Sequence, residues 1–158
     1  MFVQYFSEIP RPLEVLVDVL PEVLTRLGKL GEDAYREGEE IRLRIGPRSH
    51  HSATAKTVSL RADAPIQDRS SIRVPLYWEA TGTSGLFPTM TADIALVQLG
   101  DQLTKIRFEG TYEPPLGALG RLLDRTLMHR IAELSVKGLV DRIVDILEVA
   151  AGRDQAGA

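Results

Sequence analysis

Apolar and polar residues alternate along several stretches of this chain before the period changes near its C-terminus. Ile41, Leu43 and Ile45 alternate with Arg42 and Arg44, which predicts a half-buried strand over Glu40–Ile45. Val58 and Leu60, set against Arg61, predict another over Thr57–Ala62. Val74, Leu76 and Trp78 share one face of a strand over Ile72–Ala80, and Thr89–Leu99 with Leu103–Tyr112 predicts a hairpin around Gly100-Asp101. Upstream, Met1–Ile9 is rich in aromatic and β-branched residues and stops at Pro10, so it reads as the first strand. Pro12 suits the first turn of a helix, and Leu13, Leu16, Val17 and Leu20 follow helical spacing. Pro21 lacks an N–H and clashes with the turn before it, so it predicts a break and a second short helix ending at Gly28. Leu30–Gly38 reads as a charged connector.

The register of the hairpin follows from polarity. A two-residue loop opposes Asp93 to Phe108 and mixes polarity on both faces. A three-residue loop, Gly100-Asp101-Gln102, opposes Ile94 to Phe108 and Leu96 to Ile106, with Ala95, Val97, Lys105 and Arg107 together outside. A one-residue slip swaps the faces, so the cleaner separation is expected.

From Leu116 to about Ala150 the period is helical. At roughly 100° per residue, Arg130, Glu133, Lys137, Asp141 and Glu148 fall in one narrow stripe. Leu127, Met128, Ile131, Leu134, Val136, Leu139, Val140, Ile143, Val144, Ile146 and Leu147 cover most of the remaining circumference. A helix lying on a flat surface has a narrower apolar face. Glu133–Lys137 and Lys137–Asp141 are opposite charges one turn apart on the wet side. Gly138 costs about 1 kcal/mol in mid-helix relative to alanine, and close approach of another group would account for it. An apolar arc this wide suits a helix gripped by a curved sheet, an arrangement that encloses a cavity.

Composition narrows the function. A chain of 158 residues makes one domain of ordinary size, expected over 1–151, with the small, polar tail 152–158 expected to be disordered. It has no cysteine, which excludes disulfides, thiolate metal sites and iron–sulfur clusters. A net charge of −3 with interspersed signs leaves no electrostatic footprint for nucleic acid. The N-terminus lacks the basic and apolar regions of a signal peptide, and no apolar stretch reaches the ~20 residues of a membrane span, so a cytoplasmic location is expected.

Candidate chemistry is sparse. No nucleophile triad, Walker loop or dinucleotide fingerprint is present. His50 and His51 are adjacent in a polar loop, Gly46–Ala55, and cannot converge on a metal as a pair one helical turn apart does. His129 sits at the edge of the polar stripe and reads as a solvated helix residue. Asp93 and Glu109 face each other in the expected register, on the convex side among Lys105 and Arg107, where a screened surface cluster is expected rather than a proton-sharing pair. No catalytic residue, metal or cofactor is assigned, and the balance leans away from an enzyme. Leu86 and Phe87, in a loop over Thr81–Pro88, are placed to gate a cavity mouth or to contact a second copy in a homodimer.

The order of strand, two short helices, antiparallel strands and one long C-terminal helix resembles the helix-grip fold of the START-like, or SRPBCC, superfamily. The resemblance covers essentially the whole chain. It is strongest from Val74-Pro75-Leu76-Tyr77-Trp78-Glu79-Ala80 through Phe108-Glu109-Gly110-Thr111-Tyr112-Glu113-Pro114-Pro115-Leu116-Gly117, the last part being similar to the strand-to-helix junction of many bacterial members. It implies an α+β fold, with a curved antiparallel sheet of six or seven strands around the C-terminal helix and an apolar cavity between them. The candidate ligand-binding residues are Leu43, Val58, Leu60, Val74, Leu76, Trp78, Ile94, Leu96, Phe108, Tyr112, Leu127 and Ile131, with Leu127–Leu134 as the helical wall. Trp78 and Tyr112 stand out because each joins a large apolar body to a donor that can orient a ligand. The expected partner is a hydrophobic small molecule of lipid, polyketide or isoprenoid type. The alternatives are a polyketide cyclase or dehydrase, and a protein-interaction module without a ligand.

Overall fold

A computed structural model describes residues 1–45, 58–80, 89–112 and 125–156, with side chains at 35, 38–45, 58, 80, 125, 127, 128, 131 and 154–156 outside the description. Strand β1 spans Phe2–Ile9, helix α1 Leu13–Ile45, β2 Val58–Ala62, β3 Ile66–Gln67, β4 Ser71–Ala80, β5 Thr89–Gly100, β6 Leu103–Tyr112 and helix α2 Arg125–Ala156. The six strands form one antiparallel sheet in the order β1-β6-β5-β4-β2, with β3 paired to β4. This is the α+β architecture expected.

The two short helices are one. α1 continues through Pro21 and Gly28, across the expected charged connector, and includes the stretch Glu40–Ile45 that was expected to be a strand. The reason lies in its buried stripe. Leu13, Leu16, Leu20, Val23, Leu27, Leu30 and Ala34 are all buried and recur at alternating intervals of three and four. One continuous apolar seam crosses Pro21 without changing phase, and the tertiary packing it gives outweighs the single backbone bond that Pro21 cannot donate. Leu43 is therefore a helix residue, not a strand residue, and its side chain lies outside the description.

The hairpin has the expected facing pairs. Ile94 opposes Phe108, Leu96 opposes Ile106, and Ala95 and Val97 oppose Arg107 and Lys105. The device differs from a three-residue loop. Gly100 pairs with Leu103 around the two-residue turn Asp101-Gln102, and a bulge at Leu99 restores the phase between Gln98 and Gly100. The bulge reconciles the preferred short turn with burial of the apolar face.

Both helices lie on the inner face of the sheet. α2 packs most extensively on α1 and next on β1. Its buried face runs through Ala132, Val136, Leu139, Val140, Ile143, Leu147, Ala150 and Ala151. Near the join of the two helices, Arg142 bonds Glu37 and also donates to the Gly138 carbonyl at 3.3 Å. A Cβ on Gly138 would stand 2.9 Å from Glu37 Oε2, so the mid-helix glycine makes room for that carboxylate. On the opposite flank, Tyr5 donates to Asp141 Oδ1 at 3.2 Å, and Lys137 pairs with the same carboxylate. Helix α2 runs past the expected end at Ala150 to Ala156. The expected start near Leu116 lies outside the described residues.

Candidate functional site

The strand registers bring Tyr112, Met90, Trp78 and Leu60 into a single row across β6, β5, β4 and β2. The next inward row holds Gly110, Ala92 and Leu76. Alternation points all of them at the helices. The sheet thus offers three large, flat or flexible side chains at one end. Above them α2 presents Ala132, Ser135, Val136 and Leu139, two of which are small. Large groups below and small ones above leave a void of about 20 Å³ lined by Trp78, Met90, Tyr112, Ala132, Ser135, Val136 and Leu139.

A second void, of about 10 Å³, lies where Leu20, Val23, Leu24 and Leu27 of α1 meet Val74, Leu76, Ile94, Leu96 and Ile106 of the sheet and Ile143 and Leu147 of α2. The predicted ligand residues therefore divide between two voids: Trp78 and Tyr112 line the first, and Val74, Leu76, Ile94 and Leu96 the second. Leu60 and Phe108 are also buried in the core; Leu60 lies against Gly31 of α1 and Phe108 beside Gly110. The side chains of Leu43, Val58, Leu127 and Ile131 lie outside the description. Leu134, expected on the cavity wall, is 39% exposed. Among the described residues, α2 supplies Ala132, Ser135, Val136 and Leu139 to the wall, and Arg130, Glu133 and Lys137 are exposed as expected.

Sequence reasoning missed Met90, Ala132, Ser135, Val136 and Leu139 as cavity residues. Met90 was legible from its place opposite Trp78 and Tyr112. Ser135 was legible only as a polar interruption in an apolar arc.

The polar groups near the cavity are few. Tyr112 donates its O–H to Met1 Sδ at 3.5 Å. Burial pushes its phenol above the usual tyrosine range, and the Glu133 carboxylate adds to the effect. Ser135 is 8% exposed, and its Oγ is buried without a hydrogen-bond partner. His129 keeps 40% of its side chain exposed, in line with the solvated residue expected; its Nε2 lies 3.3 Å from Glu133 Oε1, and its Nδ1 is buried without a partner.

The outer face of the sheet carries a broader, open hollow of about 400 Å³ beside Phe2, Tyr77, Thr91, Asp93 and Glu109. Asp93 and Glu109 oppose each other there, as expected. Arg73 lies 3.9 Å from Asp93, Arg107 3.5 Å from Glu109, and Gln4 donates to Glu109 at 2.8 Å. These are screened surface pairs. Among the described residues no cluster of histidine and carboxylate could hold a metal, and no helix is long and apolar enough to cross a membrane. His50, His51, Leu86 and Phe87 lie outside the described residues.

No protein-family model matches this chain, and no curated protein does. Solved structures do. A protein from Thermus thermophilus, TTHA0849, superposes with a TM-score of 0.53 at 16% identity, covering 95% of this chain and 99% of that one. A conserved protein from Geobacillus kaustophilus gives 0.53 at 12% identity, over 93% of this chain and 95% of its own. Ara h 8.0201 gives 0.50 at 12% identity, over 94% and 98%. At these identities the likeness speaks for the fold alone: this chain has a helix-grip fold.

Proposed function

We propose that this protein binds a hydrophobic small molecule, of lipid, polyketide or isoprenoid type, in the cavity between Trp78, Tyr112 and helix α2. The observation that carries the reading is a void of about 20 Å³ in an apolar wall that joins Trp78, Met90 and Tyr112 of the sheet to Ala132, Ser135, Val136 and Leu139 of α2. Binding sites are mostly apolar, with a few polar groups that set orientation. Removal of apolar ligand surface from water would supply roughly 25 cal/mol per Å². The enclosed part of the cavity is small, so occupancy requires side chains to give way. Met90, unbranched and partly exposed, is the wall residue best able to move.

No carboxylate, histidine or lysine is among the described lining residues, which favours sequestration over catalysis. The His129–Glu133 pair keeps one acid–base reading alive, that of a cyclase or dehydrase, because a carboxylate can orient an imidazole whose other nitrogen is free. Native mass spectrometry of gently purified protein separates these readings from a filled, ligand-free core. A co-purified apolar mass, lost on replacement of Ala132 by leucine, is the expected result. Bare protein at every step, together with failure of added apolar compounds to bind, would contradict it.

A further inference from the structure

We propose that the outer face of the sheet is the contact surface of a homodimer, in which two copies of this chain stack face to face about a two-fold axis that runs across the strands. The strand registers lay two rows side by side on that face. One row holds Gln4, Glu109, Asp93 and Pro75. The next, roughly 7 Å along the strands, holds Phe6, Arg107, Ala95, Arg73 and Ile66. The first row carries two carboxylates and no cation, the second two arginines and no acid. Around them the face leaves apolar groups in water. Of the seven large apolar side chains exposed among the described residues, four, Phe2, Phe6, Ile66 and Tyr77, stand here, each more than 40% exposed. An apolar patch rimmed by charge marks an interaction surface, and the charged rows decide what covers it.

The two rows are complementary to each other, and a two-fold axis turns this into complementarity between copies. With the axis across the strands and midway between the rows, Glu109 meets the partner's Arg107. Asp93 then meets the partner's Ala95, which has an arginine on either side. An axis along the strands would lay acid on acid and arginine on arginine, so the charges select the first. Stacked sheets lie ~10 Å apart, a gap that a glutamate and an arginine reaching from facing positions close. Within one chain these groups are held loosely, at 3.9 Å for Arg73–Asp93 and 3.5 Å for Arg107–Glu109, and both arginines stay about half exposed. A guanidinium has donors enough for a second carboxylate. The open hollow of about 400 Å³ beside Phe2, Tyr77, Asp93 and Glu109 lies opposite the partner's Lys105 and Arg107, whose long cationic side chains would fill it. The strands β1, β6, β5 and β4 run for eight to twelve residues. Four abreast, they make a face of roughly 600 Å², the low end of what each partner of a stable interface covers. The dimer is therefore a weak one whose affinity falls with salt.

Analytical ultracentrifugation of the full chain, from micromolar to millimolar concentration and in low and high salt, tests this. Wild type is expected to show a monomer–dimer equilibrium that weakens as salt rises. Glu109→Arg and Arg107→Glu should each give a folded monomer, because each reversal sets like charges against one another at both symmetric contacts. Mixed in equal amounts, the two variants should dimerise again, since the mixed pair alone opposes opposite charges at both contacts. Glu109→Gln, which removes the charge without reversing it, should raise the dissociation constant about tenfold, as symmetry removes two pairs at once. A wild type that stays monomeric at millimolar concentration would overturn the proposal. So would a dimer that survives both reversals, or a mixture of the two variants that stays monomeric.

Discussion

Tyr112 ends the inner row of β6 with its phenol held protonated by burial and by the Glu133 carboxylate. Its folded pKa is raised above the ordinary 10.0, so its contribution to stability is fully present below that pH and is lost as the pH rises through the folded value. Urea unfolding of wild type and Tyr112→Phe should therefore differ by a constant amount below pH 10, after which wild type loses ground to the variant. A difference that stays constant through pH 10 and beyond would contradict the account. At this scale the sequence was informative for the inward placement of Trp78 and Tyr112, because strand alternation fixes the face each side chain takes. It was misleading for Leu134, which shares the apolar arc yet is 39% exposed, and silent for the buried Ser135.

Helix α1 shows how an element can be misread from correct local rules. Pro21, Gly28 and the alternation at Ile41, Leu43 and Ile45 each argue for a break or a strand. The interval of three and four residues from Leu13 to Ala34 argues for one helix, and it prevails because a continuous seam buries apolar surface at every turn. The β5–β6 hairpin was read more successfully. Its facing pairs were legible because a one-residue slip would invert two whole faces, whereas the bulge at Leu99 left no comparable trace. Two glycines of α1 give opposite predictions. A Cβ on Gly31 would stand 2.8 Å from Leu60 Cβ, an atom held by strand β2. Gly31→Ala should therefore lower stability by about 1–3 kcal/mol. A Cβ on Gly28 meets nothing within 4 Å, so Gly28→Ala should raise stability by up to about 1 kcal/mol. Thermal or denaturant unfolding of the two variants checks both signs, and equal effects would refute the packing described for α1.

For the molecule as a whole, the wide apolar arc of α2 has two partners where the sequence suggested one. The sheet does not wrap it alone, because the continuous α1 covers its other flank. At one end α2 turns small side chains toward Trp78, Met90 and Tyr112, beside the void of about 20 Å³. The fold was legible because strand faces and element order are global patterns. The site was only partly so, because a void depends on which side chains fail to touch, and no period in the sequence records that. The most direct test of the central claim is titration of 2-acetylnaphthalene against the Trp78 indole signal in wild type and Ala132→Leu. A saturable shift in wild type that disappears when leucine fills the wall is the predicted result. An identical response in both proteins, or no response in wild type, would contradict it.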